Sequence, residues 1–458
     1  MAPEPYESGR GERRTAIPPT AIDALRADPA DDLAPPVEPN LVRPREVPGA
    51  RQVGRNTVEI LLFRGLSTPL ALGLVVLQSR FLAPEGRGAY VVAVLGVTIF
   101  SRLLGQLGVA ATNRLRDHHD DPRALSLRAL GLGVVAGAAA VPLIAAGGST
   151  IGGIDGEVAL AAALALVPNV IWQTVSGILL GQARVRLWNY VQLGSPVLTL
   201  AGMLVLVVWL DADVLGAVSA WTLANVLTAA FALAAARDLW LPFRAPRITD
   251  PLAWALARLA IAMGAVQVVN LVSYRIELFI LERYEGLEDV GLYSIAMQAA
   301  EAMWLIAAAL ATAITAPAVH EDERRAMALV RKTALRALAL TTGVALVLGA
   351  AAPLAIPVVF GEAFEDAARP LLLLLPGVVL YAPVAVLVVY LSVRHGRPRL
   401  SLVVSVAAMI VTLALALVLI PRHGAEGAAA ASSIGYAAGA AIAWVFFARV
   451  ARRSMRSP

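Results

Sequence analysis

The sequence contains no cysteine, which excludes disulfide bonds and thiolate metal ligands from any mechanism. Charge is also scarce: 16% of the 458 residues are charged, against 58% hydrophobic. Soluble domains carry about a quarter charged residues, and the mean hydropathy here is +0.71. Lysine occurs once, at Lys332, beside 37 arginines, which we attribute to GC-rich codon usage in a bacterium. Most of the chain is therefore expected to lie in a lipid bilayer.

The first 56 residues differ from the rest. Residues 1–56 have no apolar run and are rich in Pro, Asp, Glu and Arg, so we predict a disordered cytoplasmic arm. The arm also lacks the apolar core and small-residue cleavage site of a secretory signal. We therefore expect the first apolar segment to direct insertion into the membrane.

Apolar segments of membrane-spanning length follow the arm, which predicts an all-α polytopic membrane protein. We count twelve, and prolines interrupt several of them, as membrane helices tolerate. The predicted spans are 57–80, 89–112, 125–146, 158–180, 188–210, 214–236, 254–280, 290–316, 334–358, 370–392, 400–421 and 426–448.

Basic residues are distributed unequally between the two sides of this arrangement. Thirty of the 38 lie in the arm, the tail and alternate loops with their flanking turns, whereas the opposite loops hold five. The positive-inside rule then places both termini in the cytoplasm. The predicted location is the bacterial inner membrane, and because external loops are at most about 15 residues long, we expect no external catalytic domain and no enzyme activity.

An internal repeat relates the two parts of the chain. The stretch Arg80–Ala93 (RFLAPEGRGAYVVA) aligns with Arg283–Ala296 (RYEGLEDVGLYSIA), with five identities in fourteen positions and an offset of 203. Arg184–Leu187 likewise matches Arg397–Leu400, and Gly216-Ala217 matches Gly427-Ala428. We predict two six-helix halves, 57–236 and 254–448, with a cytoplasmic linker 237–253 and a basic cytoplasmic tail 449–458.

Six helices separate the copies, so both have the same orientation in the membrane, which is the parallel-repeat arrangement of some transporters. Two such halves enclose a cavity at their interface. Rocking one half against the other exposes the cavity alternately to each side of the membrane. The repeat therefore favours transport.

Several motifs resemble one known family. The segment Phe81–Tyr90 (FLAPEGRGAY) resembles the hallmark of the polysaccharide flippase branch of the multidrug/oligosaccharidyl-lipid/polysaccharide exporter superfamily. The segments Ser273–Glu277 with Gly291–Ala296, and Ile356–Phe364 with Leu375–Gly377, are similar to its seventh to tenth helices. The resemblance implies a V-shaped, MATE-like bundle of two lobes that moves an undecaprenyl-linked oligosaccharide to the outer leaflet. Membrane lipids would be further partners, and a polysaccharide polymerase or glycosyltransferases are candidate protein partners; we expect no nucleic acid and no cofactor.

Charged residues inside the predicted helices are the first candidate site residues. Arg64 and Arg102 lie within predicted helices, where a charge costs about 2.5–3.5 kcal/mol. They could line the cavity and bind the pyrophosphate or acidic sugars of a cargo. The alternatives are that Arg64 reaches the headgroups or Glu59 and that Arg102 bonds to backbone carbonyls.

A polar stripe marks the seventh predicted helix. Gln267, Asn270, Tyr274 and Glu277 recur at helical spacing with Arg275 at the flank. Gln267, Asn270, Tyr274 and Arg275 are predicted to contact cargo, with interhelical hydrogen bonding as the alternative. Glu301 and Glu277 are the candidates for coupling transport to a proton or cation, and an ion pair with an arginine is the other interpretation of Glu301.

Two further polar groups are weaker candidates. Asn169 and Gln173 share one helix face; they could add polar lining to the cavity, and packing contacts are the favoured interpretation. The sequence Asp117-His-His-Asp-Asp121 suggests a metal site, but adjacent residues on a loop do not converge on one ion, so we predict no metal.

Other functions remain open at this point. A drug or cation antiporter of the same superfamily would share the fold, although its cationic cargo predicts an acidic cavity. A lipid II flippase would also recognise a lipid pyrophosphate, but that family usually has fourteen helices. A non-transporting scaffold for envelope assembly is the alternative from another class.

Overall fold

The computed structural model describes residues 50–118, 121–243, 245–246 and 248–455, with side chains from residue 69 onward except for 115–120. The chain divides into two units, Met1–Val53 and Gly54–Pro458, and everything below concerns the second. Nearly all of the predicted disordered arm, 1–56, lies outside the described residues. So do residues 119 and 120 of the His-Asp loop, and the side chain of Arg64 is not described either.

The described residues form helices joined by short connections, with no strand among them. The predicted all-α membrane fold is confirmed. In chain order the helices are α1 (Ala50–Leu104), α2 (Leu107–His118), α3 (Pro122–Thr150), α4 (Gly156–Ala163), α5 (Leu166–Gly181), α6 (Val185–Met203), α7 (Val214–Ala235), α8 (Pro251–Ser273), α9 (Ile276–Glu285), α10 (Leu287–Glu301), α11 (Trp304–His320), α12 (Glu323–Phe360), α13 (Ala368–Val388) and α14 (Pro398–Ser454). Short π-helical turns extend α6 to Trp209 and α13 to Arg394.

Ten helical runs in the described chain are long and apolar enough to cross a membrane, so the protein is a multi-pass membrane protein. Two of these runs reverse direction internally. In α1 the break is at Ala83, and beyond it Arg87 donates hydrogen bonds back to Gln78 (2.9 Å) and to the carbonyl of Val75 (3.4 Å). In a straight helix twelve residues span about 18 Å, so the chain folds back here.

The second reversal is in α14, at Gly424 (φ 50°, ψ −131°). Beyond it, Gly435 lies against the Thr412 side chain and Gly439 against Ala408, so the two arms of α14 run antiparallel. The predicted count of twelve counts the segments before and after Ala83 as two spans, and likewise the segments before and after Gly424. The described structure gives ten runs, and twelve stays a prediction.

Helix boundaries differ most from the predictions near charged residues. The sequence predicts a span beginning at 334, but α12 begins at Glu323 because the preceding turns are amphipathic and bury Ala326, Val330 and Thr333. The predicted loop 281–289 is reduced to Gly286, whose φ of 89° ends α9 and starts α10. The connection between α9 and α10 is thus shorter than the hydropathy pattern indicates.

Residues with positive φ show the internal repeat in the backbone. Eight described residues have this conformation, and they pair in chain order between the two parts of the chain. Ala83 pairs with Gly286 at the offset of 203 found in the sequence, and Ala183 pairs with Gly396 at the offset of the second sequence match. The four pairs are Ala83 with Gly286, Gly153 with Gly361, Ala183 with Gly396 and Asp211 with Gly424. Each sharp bend therefore occurs at the same place in both copies.

The two copies of the repeated motif also contact each other symmetrically. A Cβ atom added at Gly88 would overlap the Leu287 carbonyl oxygen, and one added at Gly291 would overlap the carbonyl oxygen of Pro84. Gly88 and Gly291 are 203 residues apart, and so are Pro84 and Leu287. This reciprocity is what a two-fold axis at the crossing of α1 and α10 produces, and only glycine allows the backbones to approach so closely.

Candidate functional site

A cavity of about 450 Å³ lies among α1, α2, α5, α6 and α7, and we call it the amino-terminal cavity. Its lining includes Gly105 and Gln106, where the helix is interrupted between α1 and α2. Interrupted membrane helices commonly border binding sites, because their free backbone groups need a polar environment. Its polar and aromatic lining comprises Thr98, Ser101, Arg102, Gln106, Asn169, Trp172, Gln173, Ser176, Trp188, Gln192, Ser195 and Trp221.

Arg102 is the single charged residue among the described residues that line this cavity. Its side chain is exposed. The alternative that it bonds to backbone carbonyls is not what the structure shows, because Arg102 makes no hydrogen bond or ion pair within the described part of the chain. A guanidinium inside a membrane protein that has no carboxylate partner is available to an anionic ligand.

Buried amides fix one wall of the same cavity. The side-chain oxygen of Asn225, which is fully buried, accepts hydrogen bonds from the Asn169 amide and the Trp172 indole N–H, both at 2.9 Å. Gln173 in turn donates to Asn169. Asn169 therefore makes the packing contacts expected from the sequence, and both Asn169 and Gln173 line the cavity. This network holds the indole of Trp172 in one orientation.

A second cavity, of about 460 Å³, is lined by α8, α11, α13 and α14, and we call it the carboxy-terminal cavity. Tyr274, Trp304 and Tyr381 give it an aromatic wall, and Asn270 adds an amide to the lining. The rings pack on one another with centroid separations of 5.3–6.1 Å, Tyr436 completing the cluster. The hydroxyls of Tyr274 and Tyr381 lie 3.3 Å apart. Most faces of these rings are thus covered by other rings.

A cluster of charges lies beside this aromatic wall, where two more helices are interrupted. The break between α8 and α9 is at Tyr274-Arg275, and the break between α10 and α11 follows Glu301. There Arg275 and Glu301 form a two-pronged ion pair, with nitrogen–oxygen distances of 2.8 and 2.7 Å. The ion-pair interpretation of Glu301 is what the structure shows, and Arg275 is its partner.

Glu277 is the most deeply buried carboxyl of the cluster, with 1% of the residue exposed. One of its oxygens accepts hydrogen bonds from Tyr293 (3.2 Å) and Ser432 (3.4 Å). The other oxygen has no hydrogen-bond partner within the described residues. A buried carboxyl with one free oxygen could hold a proton or a small cation.

The structure separates residues that the sequence placed on one stripe. Asn270 and Tyr274 line the carboxy-terminal cavity, Gln267 is exposed on α8, and Glu277 is buried against Tyr293. The reason is the break at Tyr274-Arg275, which interrupts the helical periodicity on which the stripe was based. Cargo contact by Gln267, Asn270, Tyr274 and Arg275 stays a prediction.

Sequence reasoning missed Arg87, which it assigned to an external loop. The residue is fully buried in α1, close to the crossing of the two motif copies. Its Nε donates to the Ser294 hydroxyl of α10 at 2.9 Å, and its Nη2 has no partner within the described residues. The available signal was its position between Gly86 and Gly88, since small residues allow helices to close around a neighbour.

Comparisons with known proteins agree with this architecture. The model of the family described as "Polysaccharide biosynthesis protein" matches residues 53–322, which is more than half of the chain. No curated protein sequence matches the chain.

Solved structures share the fold at low sequence identity. An inward-facing multidrug resistance MATE family transporter of the MOP superfamily aligns with a TM-score of 0.67 and 19% identity, over 85% of this chain and 96% of that one. The lipid II flippase MurJ in an inward closed conformation aligns with a TM-score of 0.73 and 11% identity, over 87% and 91%. A MOP superfamily transporter from Pyrococcus furiosus aligns with a TM-score of 0.58 and 16% identity, over 88% of this chain and 96% of that one. The resemblance found in the sequence is confirmed: the chain belongs to the polysaccharide biosynthesis protein family and has the fold of the multidrug/oligosaccharidyl-lipid/polysaccharide superfamily.

Proposed function

We propose that this protein is a transporter that moves an undecaprenyl-linked oligosaccharide bearing a pyrophosphate across the bacterial inner membrane. The transported oligosaccharide would be used in the synthesis of cell-surface polysaccharide. The observation that carries this proposal is Arg102, an arginine without a partner among the described residues, in a cavity that no described Asp or Glu lines. Membership of the polysaccharide biosynthesis family supports the same cargo.

The chemistry of the amino-terminal cavity favours an anionic cargo. A guanidinium binds phosphate oxygens with two parallel hydrogen bonds, which a lysine cannot do. Bonds to a charged group contribute about 1.5–3 kcal/mol each. The cavity repels organic cations for the same reason, so a multidrug exporter that carries cations is the weaker proposal despite the structural similarity to MATE transporters.

Alternating access gives a role to the crossing of the repeats. With both termini in the cytoplasm, as the positive-inside rule predicts, the reversals at Ala83 and Gly286 face outward. The contacts of Gly88 and Gly291 then close the outer side, and the Arg87–Ser294 hydrogen bond joins α1 to α10 at this point. Outward opening requires these contacts to separate.

The charge cluster of the carboxy-terminal part would couple transport to ions. Glu277 has one free oxygen and lies close to Arg275, itself paired with Glu301. A proton or cation on Glu277 changes the charge balance of this group and thereby the packing of α9 against α10 and α14. We assign ion coupling to Glu277 and Glu301 as part of the proposal.

A deletion strain tests the function. Loss of the gene should abolish surface polysaccharide and leave lipid-linked oligosaccharide on the cytoplasmic leaflet. The variant Arg102→Gln should fail to restore export, Arg102→Lys should restore it partly, and the exposed-site control Arg324→Gln should restore it fully. Normal polysaccharide in the deletion strain would contradict the proposal.

A lipid II flippase is the second candidate, because the MurJ structure aligns over most of both chains. Lipid II is also a lipid pyrophosphate, so Arg102 does not distinguish the two cargoes. The same deletion strain does: a defect in peptidoglycan synthesis with intact polysaccharide favours lipid II, and the reverse favours the oligosaccharide.

A further inference from the structure

Three of the eight tryptophans of the chain line the amino-terminal cavity: Trp172, Trp188 and Trp221. Membrane proteins usually place tryptophan at the two membrane interfaces, and Trp209 and Trp254 are typical in being 79% and 69% exposed. The three cavity tryptophans are instead half-buried around one space inside the bundle. Packing alone does not explain this concentration.

The three indoles pack partly against the apolar core of the bundle, and they differ from the rings of the carboxy-terminal cavity in their neighbours. Among the described residues none of the three makes a ring contact with another aromatic side chain, whereas the rings of the carboxy-terminal cavity cover each other at 5.3–6.1 Å. Trp172 is held by its hydrogen bond to Asn225. The indole N–H groups of Trp188 and Trp221 have no hydrogen-bond acceptor in the described part of the chain.

Amide side chains surround the same space. Gln106 has no side-chain hydrogen bond among the described residues. The side-chain oxygen of Gln192 accepts a hydrogen bond from the Ser176 hydroxyl at 3.3 Å, and no bond of its NH₂ group is seen among the described residues. An amide carries both donors and acceptors. It therefore matches a hydroxyl group, which also donates and accepts.

Flat aromatic faces combined with amides fit the chemistry of a sugar. A pyranose ring presents C–H groups on its faces, which pack on the electron-rich face of an indole, and hydroxyls around its rim, which pair with amides. An organic cation would also attract indole faces, but Arg102 in the same cavity opposes it. A bare lipid phosphate uses Arg102 and needs none of the tryptophans.

We propose that the amino-terminal cavity is a sugar-binding subsite in which Trp188 and Trp221 pack on pyranose rings and Gln106 and Gln192 bind their hydroxyls. The sugars bound would be those next to the pyrophosphate held by Arg102. The identity of the cargo rests on the proposed function; the site rests on the lining of this cavity.

Two probes separate the sugar from the phosphate. Binding to the purified full-length protein is measured with lipid-linked oligosaccharide extracted from the cells that produce it, and with undecaprenyl pyrophosphate that carries no sugar. Trp221→Leu should weaken binding of the glycosylated probe about three- to tenfold and leave undecaprenyl pyrophosphate within about twofold. Trp221→Phe keeps an aromatic face and should retain most of the affinity. Trp188→Leu should repeat the effect, and Trp254→Leu on the exposed surface is the matched control.

Each outcome decides one question. If Trp221→Leu and Trp188→Leu weaken the binding of both probes equally, or change the binding of neither, the proposed sugar subsite is wrong. The polar variant Gln192→Leu gives the same decision without removing a large ring, so a folding defect in the tryptophan variants does not end the test. If the wild-type protein binds neither probe, the proposed function fails. If it binds both equally, only the sugar subsite fails.

Discussion

The two halves of the repeat have backbone bends at equivalent positions, but they differ in whether their arginines are paired with carboxylates. In the amino-terminal cavity Arg102 has no partner among the described residues, and amides and separated indoles surround it. Beside the carboxy-terminal cavity, Arg275 is neutralised by Glu301 and the rings pack on one another. One copy leaves its cavity arginine without a partner among the described residues, and the other pairs its arginine with a carboxylate.

This difference shows how a duplicated fold can divide its tasks. The bends occur at equivalent positions, as the four pairs of positive-φ residues show. Each cavity is lined by residues of one half only, so the side chains of the two cavities are free to diverge. We therefore assign cargo recognition to the amino-terminal half and ion coupling to the carboxy-terminal half.

Removing one charge from the carboxy-terminal ion pair should give the largest effect on stability. In Glu301→Gln, Arg275 stays largely buried, 23% exposed, without its carboxylate, and we expect a loss of about 3 kcal/mol. Thermal unfolding in detergent measures it. The matched change in the other half, Arg102→Met, should cost little because Arg102 has no partner to lose among the described residues. Equal destabilisation by both would contradict the contrast between the halves.

The crossing of the repeats should tolerate no side chain. Gly291→Ala places a Cβ against the backbone of Pro84, and we expect a loss of about 1–3 kcal/mol in unfolding free energy. Gly88→Ala should behave alike, because it makes the reciprocal contact. The control is Gly343→Ala in α12, where nothing lies within 4 Å. If Gly291→Ala is as mild as the control, the close approach is wrong.

Equivalent bends should respond in opposite directions in the two halves, with the smallest effects. Ala183 has φ 58° and its counterpart Gly396 has φ 59°. Left-handed backbone costs a residue with a Cβ about 1–2 kcal/mol, so Gly396→Ala should lower the unfolding free energy by about 1 kcal/mol. Ala183→Gly should raise it by less, because glycine also loses more entropy on folding. Equal signs for the two changes would show that the bends are not equivalent.

Hydropathy and the repeat predicted the fold well because both depend on long segments. The bilayer requires about twenty apolar residues for each span, and ten such runs are present in the described chain. The reversals at Ala83 and Gly424 fall in the loops predicted between spans, 81–88 and 422–425, where charged residues and glycine interrupt the apolar runs. Arg87 was misplaced because the first of these predicted loops is too long: the chain reverses at Ala83 and has re-entered the bundle by Arg87.

The candidate site was less predictable because helix breaks decide which residues meet. Spacing placed Tyr274 and Glu277 on one face, and the break at Arg275 directs them to different surroundings. The pairing of Arg275 with Glu301 joins residues 26 positions apart on two interrupted helices, which periodicity does not determine. Arg102 could be identified from the sequence alone, because a charged residue inside a membrane helix costs free energy and therefore stands out. Its lack of a partner had to come from the structure.

The most direct test of the account is the affinity of the purified protein for undecaprenyl pyrophosphate, compared between wild type, Arg102→Gln and the control Arg324→Gln. We predict that Arg102→Gln weakens binding about 10- to 100-fold, the equivalent of one charge-assisted interaction, with the unfolding temperature unchanged. Arg324→Gln should bind as the wild type does. Unaltered affinity in Arg102→Gln would contradict the assignment of anion recognition to the amino-terminal cavity.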